Sequence, residues 1–232
     1  MSELKPNPGK NLQIEVEGEK YLRLPIKTHV IKKEDNLEKI MTRYLKPRLK
    51  KGDLVFISER AVAITQGRAF PVKDIKTSFL ARFLSKYVYR SPYGIGIGSP
   101  WTMELAIREV GRIRIFLGVL ASVITKPLGI RGVFYRVCGP KVAAIDGPCD
   151  YTLPPYNRYA KFGPLKPNKV AKELKNLLGS EVVIIDANDL GVAVLGRSDK
   201  KISPDFARRV FRDNPLGQGS ESTPLCLIRK IK

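Results

Sequence analysis

The sequence predicts a mixed α+β fold with packed helices, and three observations carry that expectation. The stretch LQIEVEGEKYLRLPI, residues 12–26, alternates apolar and polar residues on either side of Gly18, as two strands around a turn do. Leu37, Ile40, Met41, Tyr44 and Leu45 recur at helical spacing, and Lys50, Lys51 and Gly52 close that helix before the apolar strand DLVFIS. Further on, NKVAKELKNLLGS turns Val170, Leu174, Leu177 and Leu178 to one side, and the strand EVVIID, the turn ANDLG and the strand VAVLG follow it. Helices and strands are therefore mixed along the whole chain, without repeats or low-complexity segments.

Two further helices carry start signals. Ser99 as N-cap and Pro100 in the first turn open PWTMELAIREVG, with Gly111 as its stop, and Ser203 and Pro204 open DFARRVFRD. Residues 1–10 are polar and rich in proline and glycine, which predicts a loose arm that carries nothing. Residues 11–232 then form the domain, or two intimate subdomains whose boundary falls in the proline-rich connection 149–168.

Composition narrows the function. A chain of 232 residues can bury a substantial core, and a net charge of +20 gives it a surface that attracts anions. The three cysteines, Cys138, Cys149 and Cys226, have no C-x-x-C spacing, so unpaired thiols in a reducing cytoplasm are expected and a zinc knuckle is not. The first residues lack the apolar centre of a signal peptide, and the longest apolar run, FLGVLASVIT, is too short to cross a bilayer, so no membrane partner is expected. With His29 the one histidine and no G-x-S-x-G elbow, triad hydrolysis is disfavoured. The string YGIGIGSP matches neither phosphate-loop pattern and reads first as a turn before a capped helix.

Two aspartates share a context. Asp146 ends VAAID and Asp186 ends VVIID, each read as the point where a buried strand surfaces. A hard divalent cation takes one or two carboxylates and completes its shell with phosphate oxygens, so the pair could share one ion; the alternative is that each caps its own turn. Carboxylates sharing an ion must lie within about 5 Å of each other, since each ligand oxygen lies roughly 2.0 to 2.6 Å from it. Near the end of the chain NPLGQGSESTP crowds small residues that let backbone amides approach an anion, or that form an exposed loop.

Taken together, these segments resemble the coenzyme F-420 gamma-glutamyl ligase family, from about Leu24 to Arg229. RLPIK resembles the family's L-P-[LI] segment, and KKGDLVFISERAVAITQGR its G-D-[VIL]-[LV]-V-x-[SA]-[EQ]-K-x-V-S-x-A-[EQ]-G-R stretch. VAAIDGPC stands where the family has A-G-[VI]-D-x-S-N, VVIIDAND where it has [VI]-I-[IS]-[DT]-[DST]-x-G, and LGQGSESTPLCLIRK resembles its G-Q-x-x-E-x-x-P ending. The resemblance implies a gamma-glutamyl ligase-like fold, a homodimer, and an enzyme that uses GTP and magnesium or manganese to join L-glutamate to an anionic carboxylate acceptor. It implies that Asp146 and Asp186 bind the metal and that Leu24, Pro25, Ile26, Lys27, Glu59, Arg60, Gln218, Gly219 and Ser220 line the nucleotide site. Three positions depart from the motifs: Ile64 replaces a lysine, Cys149 an asparagine and Ala187 a hydroxyl residue, with Arg60 and Asn188 as candidate substitutes. The rival readings are a ligase of the same fold with another acceptor, a binding protein without catalysis, and a basic nucleic-acid-binding protein supported by charge alone.

Overall fold

The computed structural model describes residues 5–88, 96–130, 132–188 and 191–231. The chain is a mixed α+β protein, folded as two compact units, one of residues 1–66 with 164–232 and the other of residues 67–163.

The first unit is built on a six-stranded sheet of order β1-β2-β8-β3-β6-β7, comprising β1 Gln13–Val16, β2 Glu19–Ile26, β3 Leu54–Ser58, β6 Val182–Asn188, β7 Gly191–Arg197 and β8 Leu225–Lys230. The β3–β6 pair is parallel and every other pair antiparallel. Glu17 and Gly18 both take positive φ (56° and 77°), the two-residue turn whose twist suits a tight hairpin, and the register Val16↔Glu19 follows from it. Strand alternation then sorts the core. Phe56, Val183, Ile185, Cys226 and Ile228 form one buried face with Ala207 and Val210 of α8, Pro204–Val210, and Phe56 stacks on Phe211 with centroids 4.5 Å apart. The other face meets α7, Pro167–Leu178. A Cβ on Gly196, which pairs with Ile184, would come within 2.5 Å of the Pro167 backbone, so glycine there lets helix and strand touch. Within α7 it is Ala171 and Leu174 that are fully buried, while Val170, Leu177 and Leu178 are half-buried. The helix α1, Leu37–Tyr44, is capped by Asn36 and buries Ile40 and Met41, with Leu45 just beyond it.

The second unit holds α3 Phe79–Leu84, α4 Pro100–Thr125, α5 Val133–Cys138, α6 Pro140–Ala143 and the short pair β4 Ala69–Pro71 with β5 Tyr159–Lys161. Met103, Leu105, Ala106 and Ile107 of α4 meet Ile75, Ala81, Ile97, Val142 and Phe162 in its core. Ser99 and Thr102 form a complete capping box at the start of α4. Gly111 does not stop the helix. It breaks it, at φ 81° and ψ 159°, a conformation glycine accepts, and helix resumes as far as Thr125 because the following residues are apolar and free of proline.

Three other expectations are corrected. VAAID is not a strand: Pro140 after Gly139 starts the helical turn α6 through Ala143, and only Asp146 itself forms a bridge, to Lys161. Strand β6 does not end at Asp186 but runs to Asn188, held by β7 with Asp186 opposite Ala193; Asp189 and Leu190 of the expected turn lie outside the described residues. Nor is Asn7 part of a loose arm. It is buried, because its amide nitrogen donates to Pro215 O and to Thr223 Oγ1, each at 2.8 Å.

Candidate active site

In the first unit, four sequence segments singled out for chemistry reach the same end of the sheet. The register sets Ile26 against Leu225, Leu225 against Ile57, and Ser58 against Ile185, so the ends of β2, β3 and β6 and the start of β8 lie side by side. That end carries Lys27 beyond β2, Glu59 and Arg60 beyond β3, Asp186 in β6 and the 214–224 loop before β8. Carboxyl ends of parallel strands are where α/β sheets bind ligands. Hydrogen bonds tie the segments together: Thr28 N donates to Ser222 O at 2.9 Å, Ser222 Oγ to Thr28 O at 3.1 Å, and Ser58 N to Pro224 O at 2.8 Å.

The side chains at this end differ in what they can do. Leu24, Pro25 and Ile26 are buried in β2, whereas Lys27 is exposed and available to an anion. Glu59 is buried at the first position of α2, Glu59–Thr65, and Arg60 is half-exposed beside it. Ile64 is 5 % exposed and part of the core, and the expectation that it replaces the motif lysine is corrected: with Gly52–Asp53 and Gly67–Arg68 in register, the lysine position is Arg60, where the chain keeps a cation. Asp186 is exposed and Ala187 and Asn188 are half-buried.

The 214–224 loop is stapled from within. Asn214 Nδ2 donates to Gly217 O at 2.9 Å and Thr223 Oγ1 to Leu216 O at 2.6 Å, while Asn7 bonds Pro215 and Thr223 together. Asn214, Gly217 and Ser222 all take positive φ. Gly219 N already has a carboxylate partner, Glu221 Oε2 at 2.7 Å, and a Cβ on Gly217 would lie 2.7 Å from Glu221 Cδ. The two glycines thus form a cradle around an anion that the chain itself supplies. Gln218 and Gly219 are half-buried and Ser220 is exposed at its rim. Asn7 and Glu221 were missed by sequence reasoning; the only signal for Glu221 was its place in the G-Q-x-x-E pattern, and Asn7 had none.

Asp146 belongs to the second unit. It exchanges backbone hydrogen bonds with Lys161, at 3.1 and 2.9 Å, and its Oδ1 accepts from Gly147 N at 2.9 Å. Gly163 permits this approach, since a Cβ there would come within 2.6 Å of Ala144 Cβ. Nearby in the same unit, Arg68 Nε donates to Gly163 O at 2.7 Å, its Nη2 pairs with Glu109 at 2.8 Å, and its guanidinium covers the Phe162 ring at 4.5 Å.

A family model for F420-0:gamma-glutamyl ligase matches residues 25–195. The chain belongs to that ligase family. No curated protein matches the chain significantly. The matched span includes the β2 end, Glu59, Arg60 and both aspartates, and it stops before the 214–224 loop.

Among the described residues no group of three or more His, Cys, Asp or Glu side chains is placed to hold a metal. Carboxylates such as those of Asp146, in the second unit, and Asp186, in the first, are hard-oxygen donors of the type that magnesium or manganese takes together with phosphate oxygens. His29 is engaged otherwise, its Nε2 2.9 Å from Asp35 and its Nδ1 2.9 Å from Tyr44 Oη. All three cysteines are unpaired thiols, and burial pushes the Cys226 thiol far above its ordinary range.

Proposed function

We propose that the chain is a GTP-dependent amide ligase that joins the amine of L-glutamate to a carboxylate of an anionic acceptor of the F420-0 type, working as a homodimer in the cytoplasm. The family match over residues 25–195 is the observation that carries this reading. In the reaction an acceptor carboxylate oxygen attacks the γ-phosphorus of GTP and GDP leaves. The glutamate nitrogen then attacks the acyl phosphate carbon, phosphate departs with its electron pair, and the amine gives up a proton. No side-chain nucleophile is needed. The protein's part is placement and charge: Lys27 and Arg60 supply cations beside the phosphates, and the Gln218 to Ser220 backbone supplies N–H donors. Asp186 is assigned as a carboxylate ligand of magnesium or manganese beside the phosphates, a metal that when bound neutralises phosphoryl charge, and Asp146 of the second unit keeps the metal-ligand role that the family resemblance implies for it.

Cys149 and Ala187, which stand where the family's motifs have an asparagine and a hydroxyl or acidic residue, support a second reading, a ligase of the same fold with another acceptor, because two polar contacts of the motifs are absent. One assay separates the two. GDP release should require L-glutamate, Mg²⁺ or Mn²⁺ and F420-0 together, and should fall by at least ~100-fold in Asp186→Asn. GDP release that ignores F420-0 but responds to a different carboxylate gives the second reading, and failure to bind GTP at all defeats both.

A further inference from the structure

Beyond the break at Gly111, α4 becomes a helix with two apolar faces. Ile115 and Gly118 are buried, Gly118 so closely that a Cβ would meet Cys138 Sγ at 2.7 Å. On the opposite side Ile113, Phe116, Leu117, Leu120, Val123 and Ile124 line up within about 120° of arc at 100° per residue. They are 79 %, 65 %, 50 %, 47 %, 64 % and 60 % exposed. A helix apolar all round is built to be covered on both sides. Taking about 200 Å² for a fully exposed large apolar side chain, the six leave on the order of 700 Å² uncovered, above the patch size ordinary for a monomer and close to the roughly 800 Å² each partner gives to a standard interface.

From this stripe we infer that α4 beyond Gly111 is the face through which two copies of the chain associate. This deepens the homodimer reading above by naming its surface. A second copy brings an identical apolar stripe, so a two-fold pairing covers both at once, as an isologous contact requires. The charges beside the stripe set its salt dependence. Arg112, Arg114 and Lys126 are exposed, and no acidic residue occurs between Glu109 and Asp146. Pairing brings cations toward cations, but exposed like charges interact weakly and are screened, whereas the apolar burial is not. The dimer therefore tightens as salt rises.

The test is light scattering on the full chain at micromolar concentration, with and without added salt, for wild type and for Phe116→Lys/Leu120→Lys. Lysine is chosen because glutamate could pair with the neighbouring arginines. The expected result is twice the chain mass for wild type, a dissociation constant that falls between 0.05 and about 0.5 M salt, and a monomer for the variant with an unchanged circular dichroism spectrum. Should the double variant not fold, Ile113→Lys, at the most exposed position of the stripe, gives the same readout. A variant that remains dimeric overturns the assignment of the face and leaves the homodimer standing. A monomeric wild type overturns both, and its sedimentation with phosphatidylglycerol vesicles, lost in the variant, would give the stripe to an anionic lipid surface instead.

Discussion

Gly217 and Glu221 show how much of the candidate site is decided by single residues. Gly217 sits at φ 76°, which strains any L side chain, and a Cβ there would come within 2.7 Å of the Glu221 carboxyl carbon and push that side chain aside. Gly217→Val should cost about 1 to 3 kcal/mol in stability through backbone strain and the displaced carboxylate, read in a denaturant titration. Gly219 lacks positive φ, and a Cβ there meets Glu221 only at 3.4 Å, so Gly219→Val should fold normally and report on nucleotide affinity alone. Glu221 occupies a donor that a phosphate would use. Glu221→Ala should therefore bind GTP more tightly than wild type by calorimetry; weaker binding would make the carboxylate part of the site and not its occupant. Glu104 is a second residue whose environment sets its chemistry. Burial, the largest influence, pushes its carboxyl up, but the Ser78 N–H at 2.8 Å and Arg108 at 3.1 Å outweigh it, and the net pKa is lowered. A carboxyl with a lowered folded pKa adds stability that is complete above its unfolded value and is lost as pH falls through the folded one. Melting temperature should accordingly drop below about pH 4, and Glu104→Gln, less stable at pH 7, should show a shallower drop.

At the scale of elements, the sheet is held at one place by an ion pair between a buried arginine and a half-buried aspartate. Arg23 of β2 is 1 % exposed and bonds both oxygens of Asp213, one of them at 2.9 Å, together with Val210 O at the end of α8. Removing the acid strands a buried guanidinium, so Asp213→Ala should destabilise by about 3 to 5 kcal/mol, more than Arg23→Met, which removes both the charge and its need. A comparison of the two variants by denaturant unfolding checks the order. Helix starts were legible because their signals are local: the capping serines at 99 and 203 act within one turn. Short apolar runs were not, since VAAID and VVIID have the same pattern and one begins inside a proline-started helical turn while the other pairs with two neighbouring strands.

For the molecule as a whole, charge predicts what it will hold without selecting it. At +20 the chain should retain heparin or DNA at low salt and release both by about 0.5 M, where a positioned nucleotide stays bound because its contacts are directional and part-buried. Nucleic acid retained in high salt would revive the basic-protein reading.

The amino-acid sequence alone determined the mixed class, the hairpin at Gly18, the capped helices and the motif segments, because each rests on local periodicity, capping or turn chemistry. Tertiary structure decided the rest. Residues 24–27, 58–60 and 218–222 reach one end of the sheet only because β8, the last strand, inserts between β2 and β3, and residue 186 joins them through the parallel β3–β6 pair; nothing local in the sequence specifies either pairing. It also decided that Asn7 pins the loop, that Glu221 fills it and that Ile64 is core, since burial and long-range hydrogen bonds are properties of packed elements and leave no mark on spacing.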